Sequence, residues 1–215
     1  MHLCYVAQYI ISTCTKDLRK KSDTLDVAFR MVWLDLADVF TDFTSWLDHK
    51  LKWSGIPSVK SVWTKTIFSY FSDLRDRQGF KEYLLEEYNY LNVDYVWIYD
   101  RKDYPQQHFI ELAVEHENQR DVKTFLTQEI QHLIDMKADN KIAITYPHIG
   151  REEPLIADIC NRIRWCIRKT ESEKYLVILG YPTKMRRKSA INFKGYIIDD
   201  TGNELKRTDS TIYQK

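Results

Sequence analysis

Asp94, in "VDYVWIY", and Glu115 and Glu117, in "FIELAVEHENQ", are carboxylates in segments that otherwise demand apolar side chains. Both segments are rich in β-branched and aromatic residues and read as core strands. Alternation places Phe109, Glu111, Ala113, Glu115 and Glu117 on one face of the second strand, and Ile110, Leu112, Val114 and His116 on the other. Residues two apart on a strand are about 6–7 Å apart, so Glu115 and Glu117 can act together. Glu111 lies about 13 Å from Glu115 by the same rise, which removes it from such a site. Folding the two strands as a hairpin about Asp103 sets Asp94 near Ala113 and Glu115. Like charges at about 4–6 Å repel and raise one another's pKa. A hard divalent cation resolves that conflict, and Mg²⁺ prefers one or two carboxylates with waters. Held there, it polarises a phosphoryl oxygen and activates water.

Two further carboxylates come from helical patterning. Over Phe80 to Leu91, the 3.6-residue period gathers Phe80, Tyr83, Leu84, Tyr88, Tyr90 and Leu91 in one arc with Glu87 near its middle. This predicts a helix that directs Glu87 toward the core or a cleft. Glu129 falls near the centre of the apolar arc of Val122, Phe125, Leu126, Leu133 and Met136, and would point at the sheet. The six histidines show no HxxxH or HxH spacing and read as ordinary surface or satisfied residues.

The elements that must position these groups follow from periodicity. Helical patterns cover Asp23 to Lys52 and Val59 to Leu74, separated by "SGIPS". After the Phe80–Leu91 stretch come two strands, a helix over Asp121 to Ala138, the strand "KIAITYP", a helix over Pro154 to Lys169 and the strand "KYLVILGYP". The hairpin "NFKGYIIDDTGNELKRT" closes the chain. This order predicts an α/β protein with a mixed sheet flanked by helices. Residues 1–78 read as an N-terminal helical elaboration, and 79–215 as the α/β core with its C-terminal hairpin.

Composition sets outer bounds. The 215 residues carry a net charge of +1, which excludes a generic polyanion binder, yet charge is uneven along the chain. Lys184, Arg186, Arg187, Lys188 and Lys194 form a basic run without an acid, suited to phosphate contact. The 4 cysteines lack CxxC spacing and read as small buried hydrophobes in a reducing compartment, so a cytoplasmic location is expected. No apolar run approaches about 18 residues, so no membrane span is expected. The N-terminus lacks the basic leader of a secretory signal.

With Asp94 on one strand, Glu115-His116-Glu117 ending the next and Glu87 before them, the chain resembles the PD-(D/E)XK nuclease superfamily from roughly Phe80 to Gly180. That resemblance implies a restriction-endonuclease-like αβββαβ core and a metal-dependent endonuclease acting on DNA, with Mg²⁺ (or Mn²⁺) as cofactor. It implies that Asp94 and Glu115 ligate the metal with the His116 carbonyl. Glu117 stands where the motif has Lys, to orient or deprotonate water or to bind a second cation. Glu87 is implied as a further ligand. Val93 precedes Asp94 where the motif often has Pro. Substitution of the motif Lys also occurs in members without cleavage, so a catalytically inactive nucleic-acid-binding or assembly subunit is the alternative. A third reading makes residues 1–78 a partner-binding helical layer, through Trp33, Trp46, Trp53 and Trp63. Homodimerisation would suit double-strand cleavage by two sites.

Overall fold

The structure, a computed structural model, describes residues 34–55, 57, 59–99, 109–118, 121–167, 172–185 and 188–213. Helix α1 (Leu36–Ser54) opens on Asp35, whose carboxylate accepts from the N–H groups of Ala37 and Asp38. These are two of the donors a helix start leaves without a partner. It ends at Gly55, whose φ of 68° is the left-handed conformation glycine adopts without strain. The part of the predicted first helix before residue 34 lies outside the described residues. Helix α2 (Lys60–Arg77) follows and extends slightly beyond the pattern's expected end.

Seven strands form one sheet in sequential order: β1 (Leu84–Tyr90), β2 (Val93–Tyr99), β3 (Ile110–Glu117), β4 (Ala138–Thr145), β5 (Lys174–Met185), β6 (Lys188–Asp199) and β7 (Glu204–Tyr213). The first three are antiparallel, β3, β4 and β5 run parallel, and β5 to β7 are antiparallel again. The mixed sheet and its flanking helices agree with the predicted fold class. Helix α3 begins at Val122–Thr124, winds as a π-helix over Phe125–Glu129 and finishes at Ile130–Asp135. Helix α4 spans Glu152–Trp165. Parallel strands advancing in one direction, joined by right-handed crossovers, place both α3 and α4 on one face. Their Phe125, Ile130, Leu133, Ile156, Ile159 and Ile163 pack there with Val96, Ala113, Val177 and Tyr196. On the other face α1 and α2 bring Phe43 against Phe193, Phe68 against Tyr95 and Phe71 against Tyr95. Phe40 lies over Gly195, where a Cβ would meet its ring at 2.6 Å, so only glycine admits this approach.

Two helical expectations fail. Phe80 to Leu91 is not a helix: a 3₁₀ turn at Phe80–Glu82 leads into strand β1. "LLEEYNY" satisfies both periods, and pairing with β2 decides between them. Tyr90 pairs with Val93, and the intervening Leu91 and Asn92 have φ of 49° and 69°. Positive φ at both central residues makes a type I′ hairpin turn, whose twist suits antiparallel strands. The second failure is at the end of α4. It stops at Trp165, short of the expected Lys169, and Ile167 beyond it is almost fully exposed.

Candidate metal centre

Strand β2 meets β3 with Tyr95 opposite Val114 and Val96 opposite Ala113. Continuing that register sets Asp94 beside Glu115. The ladder is closed there by side chains: Asp94 Oδ2 accepts the His116 N–H at 2.9 Å, and the Asp94 N–H donates to Glu115 Oε2 at 3.4 Å. Glu115 is wholly buried. Its Oε1 lies 3.2 Å from Nδ1 of the half-exposed His132. One ligand atom from each of Glu115, Glu129 and His132 lies within 4.8 Å of the other two.

Glu129 and His132 reach this point from α3, three residues apart and so on one face. The π-helical stretch ends at Glu129, where the Ile130 N–H bonds the Phe125 carbonyl. This wider turn offsets the helix face at Glu129 while Phe125, Leu126, Ile130, Leu133 and Ile134 stay buried. Sequence periodicity had aimed Glu129 at the sheet without making it a site residue, and had set His132 aside. An E-x-x-H spacing on an amphipathic helix was the available signal.

Burial raises the pKa of the Asp94 carboxyl, against the opposing effect of the His116 N–H. Glu115 is held far above the ordinary carboxylate range, first by burial and then by Glu129 and Asp94. Glu129 is also raised, chiefly by burial, with Asp94 and Glu117 adding to it. This is the like-charge conflict anticipated for Asp94 and Glu115. The carboxylate-rich set with one imidazole fits a divalent cation: three donors from two elements, β3 and α3, gather within 4.8 Å of one another.

The remaining expected residues are distributed differently. Glu117 is half-buried at the end of β3, on the same alternating face as Glu115. His116 turns to the opposite face. Its Nε2 lies 3.1 Å from the Tyr146 hydroxyl, which accepts from Trp63 Nε1 at 2.6 Å. The His116–Tyr146 bond can run in either direction, according to the tautomer of the ring. Burial lowers the imidazole pKa to about 3, so the ring is neutral. Nδ1 has no hydrogen-bond partner among the described residues. Glu87 is corrected: it lies on β1 opposite Val96, exposed, rather than on a helix directed at a cleft. Alternation, not the 3.6-residue period, governs its direction.

In the basic run, Lys184 and Lys188 belong to β5 and β6, which pair up to Met185 opposite Lys188. Arg186 and Arg187 lie outside the described residues. Lys194 is engaged with Glu152 at 2.6 Å. The last β4–β5 pair is Thr145 with Leu179, so β5 continues past β4 by Gly180 to Met185. At about 3.3 Å per residue, the β5–β6 hairpin projects roughly 20 Å beyond the edge where Glu117 pairs with Thr145. Among the described residues, no helix is long and apolar enough to cross a membrane. Comparison with family models, curated proteins and solved structures finds no match.

Proposed function

We propose that this protein is a metal-dependent nuclease that hydrolyses phosphodiester bonds in DNA, with a restriction-endonuclease-like core. The observation that carries this reading is the meeting of Asp94, Glu115 and Glu129 at the end of β3. Burial and mutual repulsion raise all three carboxyls, a conflict that a bound divalent cation would relieve. The order of elements from α2 through β1, β2, β3 and α3 to β4 supports the reading. It is the α-β-β-β-α-β order the resemblance implies, with β1 supplying a strand that periodicity had assigned to a helix.

Asp94, Glu115 and Glu129 would hold the divalent cation, which when bound supplies Lewis-acid stabilisation of charge developing on the phosphoryl group. Glu117, next along the same strand face, orients the attacking water or takes its proton. The His116 N–H fixes Asp94 in place. The β5–β6 hairpin, whose strands include Lys184 and Lys188, projects past the end of β3 and suits contact with a phosphate backbone.

The test is cleavage of supercoiled plasmid with Mg²⁺ or Mn²⁺ by the wild type and Glu115→Gln, with thermal melts showing both folded. The expected result is nicking or linearisation that the variant loses by about 100-fold or more. Equal cleavage by both refutes the reading. Glu117 in the place of Lys favours a second reading, a catalytically inactive nucleic-acid-binding or assembly subunit. Cation and DNA binding by the wild type without cleavage would select it.

A further inference from the structure

We infer that His132 is a ligand of the cation at this centre and that the site consequently selects Mn²⁺ over Mg²⁺. The inference rests on the metal-centre reading above and goes beyond it in naming the nitrogen donor and the ion.

Nδ1 of His132 is 3.2 Å from Oε1 of Glu115, and the donor atoms of Glu115, Glu129 and His132 are mutually within 4.8 Å. Two ligands each about 2.2 Å from one ion stand about 3.1 Å apart in adjacent positions and about 4.4 Å apart in opposite ones. Glu115 and His132 stand at the separation of adjacent ligands, and Glu129, within 4.8 Å of both, lies close to the span that one ion bridges. A hydrogen bond also explains 3.2 Å, and would make His132 only a brace for Glu115. Two independent features favour ligation. Glu129 and His132 share one helix face at a three-residue spacing, so the same point above Glu115 is approached by both. The π-helical turn ends at Glu129 itself, in a helix whose apolar residues remain packed on both sides of it. The irregular winding thus changes the placement of the polar pair while leaving the core contacts intact.

The chemistry then selects the ion. Mg²⁺ takes oxygen ligands in near-ideal octahedra and keeps several waters. Carboxylates suit Mg²⁺ and Mn²⁺ alike, whereas an imidazole nitrogen is a better ligand for the first-row transition ions, of which Mn²⁺ binds weakest, than for Mg²⁺. An all-oxygen set of Asp94, Glu115 and the His116 carbonyl gives no reason to rank Mn²⁺ first. Adding one imidazole to the carboxylates does.

The experiment reads the bound ion directly, without activity. Mn²⁺ is bound to the full chain and examined by electron spin-echo modulation, with Mg²⁺ competition followed by calorimetry, for wild type, His132→Gln and His132→Asn. The expected result is ¹⁴N modulation from a directly bound imidazole in the wild type and its loss in both variants. The ratio of Mg²⁺ to Mn²⁺ dissociation constants is expected to fall by about 10-fold in both. His132 is partly exposed, so both variants are expected to fold, and thermal melts check this. Mn²⁺ bound without ¹⁴N modulation, or with modulation and preference unchanged in the variants, overturns the role of His132 and leaves the metal-centre reading standing. Binding of neither cation by the folded wild type overturns both.

Discussion

Asp94 holds the backbone of His116 through a hydrogen bond of 2.9 Å, and its own N–H donates to the Glu115 carboxylate directly across the β2–β3 ladder. The bond to His116 anchors one carboxylate of the cluster to the strand that carries another. Replacing Asp94 by Asn keeps an oxygen for the His116 N–H and removes one of the like charges. We expect a melting temperature equal to or above that of the wild type, with divalent-cation affinity weakened by about 10-fold or more. Asp94→Ala also loses the hydrogen bond and should be less stable than Asp94→Asn by about 1 kcal/mol. Calorimetry and thermal unfolding of the two variants check this. Wild-type cation affinity in Asp94→Asn would remove Asp94 from the ligand set.

Glu111, excluded from the site by distance, provides a pH-dependent contribution to stability. Its carboxylate accepts from the Tyr99 hydroxyl at 2.9 Å and from Asn140 Nδ2 at 3.0 Å. Burial outweighs both donors and pushes its pKa from 4.5 to about 7. The folded state thus favours the protonated form. The associated stability is present below pH 4.5 and is lost as pH rises to about 7, amounting to about 3 kcal/mol. Glu111→Gln keeps the shape without the charge. Denaturant unfolding across that range should show wild-type stability falling relative to the variant; parallel curves would refute the assignment.

Tyr146 joins the helical layer to the strand that bears the site. Its hydroxyl serves Trp63 at 2.6 Å and His116 at 3.1 Å, both in buried positions. Tyr146→Phe leaves two buried polar groups without partners and should cost about 2–4 kcal/mol. Gly180 lies against the same ring, where a Cβ would stand 2.5 Å from Tyr146 Cε1. Gly180→Ala should therefore displace Tyr146 and cost about 1–3 kcal/mol. Chemical denaturation measures both. Because Tyr146 and Gly180 act on one ring, the double variant should cost less than the sum.

Lys141 is fully buried on β4, where it pairs with Glu173 and donates to the Tyr175 hydroxyl at 3.2 Å. Lys141→Ala leaves Glu173 buried without its Lys141 partner, and should destabilise the fold by about 3–5 kcal/mol. Lys141→Met with Glu173→Leu removes both charges while retaining volume, and should recover most of that loss. Equal destabilisation in the single and double variants would show that the pair is not coupled.

Much of this arrangement is legible in local sequence. Strand β2 matches "VDYVWIY" because branched and aromatic side chains repeat without a turn signal. The pairing of Asp94 with Glu115 follows from antiparallel register, which a hairpin sets within about two residues. Strand β1 was not legible: "LLEEYNY" fits two periods, and edge pairing with β2 settles the matter only in three dimensions. With it, Glu87 passes from an inward helix face to an exposed strand position.

By itself the sequence determined which carboxylates break the apolar pattern, and that Asp94 and Glu115 belong to neighbouring strands. Both are consequences of short-range periodicity. Only the tertiary structure decided that His132 joins them and that Glu129 lies within ligand distance of Glu115. The physical reason is that their approach depends on how α3 crosses the sheet and on a π-helical turn within it. Packing selects that winding, and no residue spacing along the chain encodes it alone.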